Sequence, residues 1–377
     1  MSRVIVIAPD SFKECLRAAE VAAAIRRGVL AAIPTAEVLC LPMADGGEGF
    51  VEALIAEGRG ERRTARVTGP LGEPVEATWG MLAPGCTAVI EMAQAAGLER
   101  VAEAHRDPEC TTTFGVGELL LAAQREGARE TLIGVGGSAT NDGGIGMAQA
   151  LGYRFLDERG EEIAVPAGGG ELIRVSGIRP PTEPLGLGSV RVACDVDNPL
   201  LGERGAARVY AAQKGAAPDQ IEALEAGMAR FADAIERDLG MDVRSLPGSG
   251  AAGGLGAGLV AFAGARLEPG AALVLEALQL EAHLGRASLV ITGEGAINAQ
   301  TLSGKAPWEV YRRSQTHGVP VLMLGGDIAR APEELRGAPG LRLRAIAPEG
   351  TSRAESMARA SELLEASVRE FLGEAAV

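Results

Sequence analysis

An α/β architecture built on parallel sheets is the fold class the sequence predicts, and three observations carry it. Short runs of β-branched and aliphatic residues recur, each ends in a Gly/Asp/Pro loop, and each leads into a helix-like stretch. Continuous apolar strands alternating with helices signal a parallel sheet covered on both faces. With 377 residues the chain exceeds one ordinary core, so two domains of roughly 150 to 200 residues are expected.

The expected strands, in order, are "VIVIAP", "VLCLPMADGG", "TAVIEMA", "TLIGVGGSATNDGG", "VRVACDVDNP", "LVITGEG", "VPVLMLGGD" and "LRAIAPEG". Ligands of such sheets bind outside the carboxyl ends of the strands, and the polar residues cluster there. Among the helices, Glu20–Ala32 sets Val21, Ala24, Ile25, Val29 and Ala32 on one stripe, with Arg26 and Arg27 opposite. Gly115–Arg125 repeats the pattern, Pro218–Leu239 is the longest helix expected, and a helix over about 353–372 closes the chain. The stretch "VTGPLGEPVEATWGMLAPGCTAVIEM" has a different texture of Gly-Pro turns and short alternating strands. It predicts a second α/β domain, 65–285, inserted into a discontinuous first domain of 1–64 plus 286–377.

Composition excludes several functions. The net charge of −14 opposes a nucleic-acid or anionic-membrane surface, and 3% aromatic residues supply few stacking platforms. Five scattered cysteines without a CxxC pair, and no secretory leader, predict reduced thiols in a cytoplasmic protein. His105, His283 and His317 lie too far apart in sequence for a zinc motif. The uncharged run Ser245–Ala265 has the length of a membrane span, but seven of its residues are glycine. It is expected to be a glycine-rich loop leading into a short buried helix. The oligomeric state, homo-oligomer or monomer, is left open.

Two short segments echo each other: "ADGGEG" at Ala44–Gly49 and "NDGGIG" at Asn141–Gly146. Each follows an expected strand and opens onto a helix. Consecutive glycines aim backbone N–H groups at one point, and a helix N-terminus adds partial positive charge, so Gly46, Gly47, Asn141, Asp142 and Gly143 can cradle phosphate or carboxylate. The alternative is that Asp45 and Asp142 cap helices while the glycines make turns. There is no Walker A sequence, and the GxGxxG match at Gly248–Gly253 follows "RSLP" rather than a strand.

Lysine is scarce. The chain has 36 basic residues, of which only Lys13, Lys214 and Lys305 are lysine. Each stands in or beside a loop at an expected strand or helix end. A compact ammonium can follow a moving phosphoryl group, which a planar guanidinium does less well. Asp10, Asp45, Glu48, Asp195, Asp197 and Glu294 fall within a few residues of strand ends. Carboxylates so placed suit magnesium with nucleotide phosphates, or take a proton from a substrate hydroxyl.

The segments "IAPDSFKE", "PMADGGEG", "TGPLGEPVEATWG", "IGVGGSATNDGGIGMAQALG", "VACDVDNPLLGERGA", "QKGA" and "ITGEG" occur in an order that resembles bacterial glycerate kinases of the type I family, over nearly the whole chain. The resemblance implies ATP- and Mg²⁺-dependent phosphorylation of D-glycerate, with 2-phosphoglycerate the first expected product and 3-phosphoglycerate the alternative. It also implies two α/β domains, one Rossmann-like, around an active-site cleft, and a role in glyoxylate, glycerate or sugar-acid breakdown. Relatives have an arginine, an aspartate and a serine where this chain has Ala296, Asn298 and Ala299, and a serine is common where it has Cys15.

On these grounds Lys13, Asp195 and Lys214 are expected to be catalytic. Asp45 and Glu294 are expected to hold the metal. Asp10, Ser11, Asp197 and Lys305, together with the loop residues Gly46, Gly47, Gly136, Gly137, Ser138, Asn141, Asp142 and Gly143, are expected to bind substrate or phosphate. Two rivals are a hydroxy-acid dehydrogenase, which "IAPDSFK" disfavours because it lacks the glycines, and a non-catalytic solute-binding protein.

Overall fold

The structure, a computed structural model, describes residues 3–374. It divides into two compact units, the first formed by residues up to Asp45, Glu52–Gly58 and Ala271 onward, the second by Gly46–Val51 and Arg59–Gly270.

The first unit holds a five-stranded, fully parallel sheet. Its order is Leu341–Ala345, Val321–Asp327, Leu289–Ala296, Val4–Ile7, Glu37–Cys40. Ile5 and Ile7 pack with Ile291, Leu322 and Leu324 against the helices Ala18–Ala32 and Ala360–Glu374, through Val21, Ile25, Val29, Leu364 and Val368. The alternate residues Val4 and Val6 are buried on the other face, which is why the strand shows no polar alternation. The two helices meet closely at Gly28, where a Cβ would lie 2.5 Å from the carbonyl oxygen of Glu365. From the Val4–Ile7 strand the chain steps outward to one edge, and from Leu289–Ala296 to the other. The boundary between those two strands is a topological switch point, where α/β sheets bind ligands.

The second unit holds a six-stranded mixed sheet in the order Arg266–Glu268, Ser189–Ala193, Glu130–Gly134, Thr87–Glu91, Pro74–Leu82, Gly60–Thr68. The first four strands are parallel, and the last two form an antiparallel hairpin paired from Gly60–Leu82 to Thr68–Pro74. This hairpin is the Gly-Pro-punctuated texture of the sequence. Because all of Gly60–Thr68 is hydrogen-bonded to Pro74–Leu82, it belongs wholly to the second unit. The helices Gly270–Ala277 and Leu280–Leu284 fall mostly or wholly in the first. The chain thus passes from one unit to the other after Gly58 and after Gly270, with Gly46–Val51 also counted in the second.

The long helix occupies Pro218–Leu239, with proline at its start and left-handed Gly240 at its end. The closing segment differs from the expected single helix: it is Arg353–Ala358 and Ala360–Glu374, broken at Arg359. In the glycine-rich run, Ala252, Gly253 and Gly254 take consecutive left-handed conformations before a regular helix runs to Ala263. Gly253 admits no side chain, since a Cβ would sit 2.0 Å from the Thr140 carbonyl oxygen. Among the described residues no helix is long and apolar enough to cross a membrane.

Candidate active site

A cavity of about 1190 Å³ opens in the first unit, over the carboxyl ends of its strands. Asp10, Ser11, Lys13, Asp45, Glu294 and Lys305 all line it. Asp10 follows the strand Val4–Ile7 and Glu294 ends the core of Leu289–Ala296, so the two carboxylates flank the switch point. The backbone fixes this placement. Ala8 and Asp10 donate their N–H groups to Ile291 and Gly293 carbonyls at 2.8 and 2.9 Å, and the Thr292 hydroxyl reaches the Ala8 carbonyl at 2.7 Å. Met43 N–H donates to the Pro9 carbonyl at 2.8 Å, which ties down the segment that presents Asp45.

Lys13 sits at the tip of a tight turn in which Phe12 and Leu16 bond to each other, and Glu14 closes that turn with φ of 63°. Its ammonium is exposed. Lys305 caps the helix Ala306–Thr316 and reaches back to Glu294, Nζ to Oε2 at 3.0 Å. The other oxygen of Glu294 accepts the Thr301 hydroxyl at 2.7 Å. Asp10 is 7% exposed. Burial pushes its carboxyl up to about 7, with Asp45 and then Glu294 adding to the shift, against the Ser11 N–H and Lys13.

The other expected residues lie in the second unit. Gly46 and Gly136 are bonded to each other, Gly136 N–H to the Gly46 carbonyl at 3.1 Å, and a Cβ on Gly134 would come within 2.4 Å of that same oxygen. The glycines of both echoes therefore belong to one unit, and Gly46 packs against backbone. The segment carrying Gly47 abuts the same place, since a Cβ on Gly136 would meet Gly47 at 2.7 Å. Gly137, in the left-handed region, and Ser138 turn the chain after the strand Glu130–Gly134. Gly143 packs under Phe231 and Met228.

Asp142 is fully buried. It accepts the N–H and hydroxyl of Thr113 at 2.8 and 2.7 Å and the N–H groups of Gly144 and Gly146 at 3.1 and 3.3 Å. Its oxygens are thus committed to holding the start of the helix Ile145–Ala150, and burial raises its pKa despite those bonds. Lys214 is also buried, 2% exposed, and donates from Nζ to the Thr140 carbonyl at 2.6 Å. Burial pulls its pKa down to about 7, partly opposed by Asp142. It is not among the residues that line the cavity holding Lys13 and Lys305.

Asp195 is exposed and accepts the Gly270 N–H at 2.7 Å. Asp197 is exposed and pairs with Arg204 at 2.5 Å, which holds its carboxyl below the usual carboxylate range. Neither lines the cavity. Among the described residues, Thr140 Oγ1, both amide atoms of Asn141 and Ser249 Oγ are buried without protein partners.

Sequence reasoning missed the rest of the cavity wall: Asp327 and Ile328 after one strand, Ala345–Pro348 after the next, and Met357. The strand-end rule pointed at Asp327 in "VLMLGGD", whereas nothing local marks Met357. The departures Ala296 and Asn298 also line the cavity. Asn298 spends its side chain capping the short turn that carries Thr301, accepting the Gln300 N–H at 2.9 Å.

The residues from 5 to 374 match the model of the glycerate kinase family. The chain belongs to the glycerate kinase family. A "Glycerate kinase" of Halalkalibacterium halodurans is 46% identical over 97% of this chain and 96% of the relative. A "Glycerate 2-kinase" of Escherichia coli K12 is 49% identical over 86% of this chain and 85% of the relative. A crystal structure from Salmonella typhimurium LT2, ascribed to a glycerate kinase 2, superposes with a TM-score of 0.88 at 44% identity, covering 99% and 98% of the two chains. A member of the glycerate kinase family is a phosphotransferase, and the α/β fold expected from the sequence is the one this family member has.

Proposed function

We propose that this kinase transfers the γ-phosphoryl group of ATP to the 2-hydroxyl of D-glycerate, giving 2-phosphoglycerate and ADP. The observation that carries the reading is the convergence of Lys13 and Lys305 with Asp10, Asp45 and Glu294 at the switch point of a parallel sheet, in a chain of this family. The E. coli relative's designation as a 2-kinase supports the choice of hydroxyl.

The hydroxyl oxygen attacks the γ-phosphorus, the bond to the bridging oxygen of ADP breaks, and the hydroxyl proton passes to a carboxylate. Lys13, exposed on a tight turn, follows the charge of the moving group. Lys305 does so from its seat on Glu294. Among the described residues no group of three or more His, Cys, Asp or Glu is arranged to enclose a metal. Magnesium asks for less, one or two carboxylates with water and phosphate oxygens. Asp10 and Asp45, both on the cavity wall, would hold it there, while the two oxygens of Glu294 serve Thr301 and Lys305. Bound there, Mg²⁺ would neutralise charge on the phosphates.

In the second unit, Lys214 and Asp142 act by position: they hold the Thr140–Gly144 loop and leave Asn141 and Thr140 with unspent polar atoms. A coupled assay should show ADP release that depends on D-glycerate, and ³¹P NMR of the product should show a phosphomonoester on a secondary carbon. ADP release independent of the acid defeats the reading, and a primary ester moves the product to 3-phosphoglycerate.

A further inference from the structure

The cavity is larger than a three-carbon acid needs, even against the roughly 300–1,000 Å³ usual for ligand pockets. Its wall is also uneven. Asp10, Lys13, Asp45, Glu294 and Lys305 gather around the ends of Val4–Ile7 and Leu289–Ala296, and Asp327, Arg336, Glu349 and Arg353 lie on the wall beyond. The ends of the next two strands supply Ile328, Ala345, Ala347 and Pro348, joined by Met357. Neighbouring strands stand about 4.8 Å apart, so the Leu341–Ala345 end lies about 10 Å from the Leu289–Ala296 end and about 14 Å from the Val4–Ile7 end. That is the reach of a nucleoside triphosphate laid across the sheet, not of glycerate.

Between the two regions stands Asp327, whose Oδ1 accepts the Ala329 N–H at 2.9 Å. Arg336 lines the same stretch but is turned onto carbonyls, Nη2 to Ile328 at 2.8 Å and Nε to Ala331 at 3.2 Å. It braces the turn after Asp327 rather than pairing with that carboxylate, which shares this part of the wall with Glu349.

We propose that the first unit's cavity is the nucleotide site, with the phosphates at the lysine end, the ribose hydroxyls on Asp327, and the base against Ile328, Ala347, Pro348 and Met357. An acceptor-only carboxylate matches a pair of vicinal hydroxyls, and a flat base uses apolar surface that a small polar acid cannot. This assignment rests on the phosphoryl-transfer reading and adds direction to it.

The test uses the full chain, wild type and Ala347→Trp, with Ala329→Trp, at an exposed position, as a second variant in case the first fails to fold. Titration with ATP alone is followed by steady-state kinetics in both substrates. The tryptophan should weaken ATP binding and raise its KM tenfold or more, while the KM for D-glycerate stays within twofold. Asp327→Ala should erase most of the preference for ATP over 2′-deoxy-ATP. If Ala347→Trp raises the KM for the acid and leaves ATP binding unchanged, the assignment is overturned. A wild-type chain that binds ATP but gives no glycerate-dependent ADP defeats the activity reading and leaves the nucleotide site standing.

Discussion

Lys305 and Glu294 form a half-buried ion pair, Nζ to Oε2 at 3.0 Å, and the Thr301 hydroxyl holds the carboxylate from its other side. Glu294 is 6% exposed, so removing its cation strands a charge in a poorly solvated place. Lys305→Met should lower stability by about 2 kcal/mol in urea unfolding, with the partial exposure of the lysine discounting the loss. It should also cut kcat at least tenfold. A variant of wild-type stability and rate would show the pair to be idle.

Lys13 presents the opposite case. It stands exposed on its turn, and no protein bond to its ammonium is seen among the described residues. Lys13→Ala should therefore leave the melting temperature within a degree or two and reduce kcat by about 10²-fold or more, the range for losing one preorganised charge at a reacting centre. Rapid-quench measurement of single turnovers separates this from slow product release.

Lys214 makes stability depend on pH. Its folded pKa is lowered to about 7 from 10.5, so between those values the unfolded chain binds a proton that the folded chain does not. Stability from this group then rises as pH climbs from 7 to 10.5, by about 1 kcal/mol per pH unit. Lys214→Met should lack that slope. Unfolding of both proteins at pH 7, 8, 9 and 10 checks it, and parallel lines would mean the ammonium stays charged inside.

Asp10 gives the complementary sign. Its carboxyl is raised from 3.8 to about 7, so between those values the folded chain holds a proton that the unfolded chain has lost. In metal-free buffer, stability from this group falls as pH rises from about 4 to 7, and Asp10→Asn should flatten that fall. Melting temperatures of the two proteins across the window decide it.

Gly28 tests the packing of the first unit. A methyl group there would lie 2.5 Å from the Glu365 carbonyl oxygen, which is backbone and cannot swing away. Gly28→Ala should cost about 1–3 kcal/mol by forcing the two helices apart. Calorimetry should show the loss, and an unchanged melting profile would mean that the Ala18–Ala32 and Ala360–Glu374 helices are free to slide.

Much of this was written locally. Pro218–Leu239 announces its start with proline, its buried face with Leu224, Met228, Phe231 and Ile235, and its stop with Gly240. The strand-end rule found Asp10, Lys13, Asp45 and Glu294, because in a parallel sheet the loop after each strand arrives at the same edge. What escaped depends on partners distant in sequence. Asp142 reads as a phosphate-loop residue with no hint of the Thr113 groups that fill its lone pairs, and Lys214 reads as a cation for a moving phosphoryl group with no hint of its burial against the Thr140 carbonyl. The assignment of Gly46–Val51 to the second unit likewise follows from the fit of Gly46 against Gly134 and Gly136, which no spacing announces.

The strand order of the first unit also sets a timetable for synthesis. Val4–Ile7 finds one neighbour, Glu37–Cys40, almost at once, but its other neighbour begins at Leu289. The ribosome must therefore finish the whole Arg59–Gly270 portion while the earliest strand still offers a bare edge, the kind of surface that invites mispairing. A nascent chain stalled before residue 289 should be a clinging, protease-sensitive species at its N-terminal end, however well its later portion has folded.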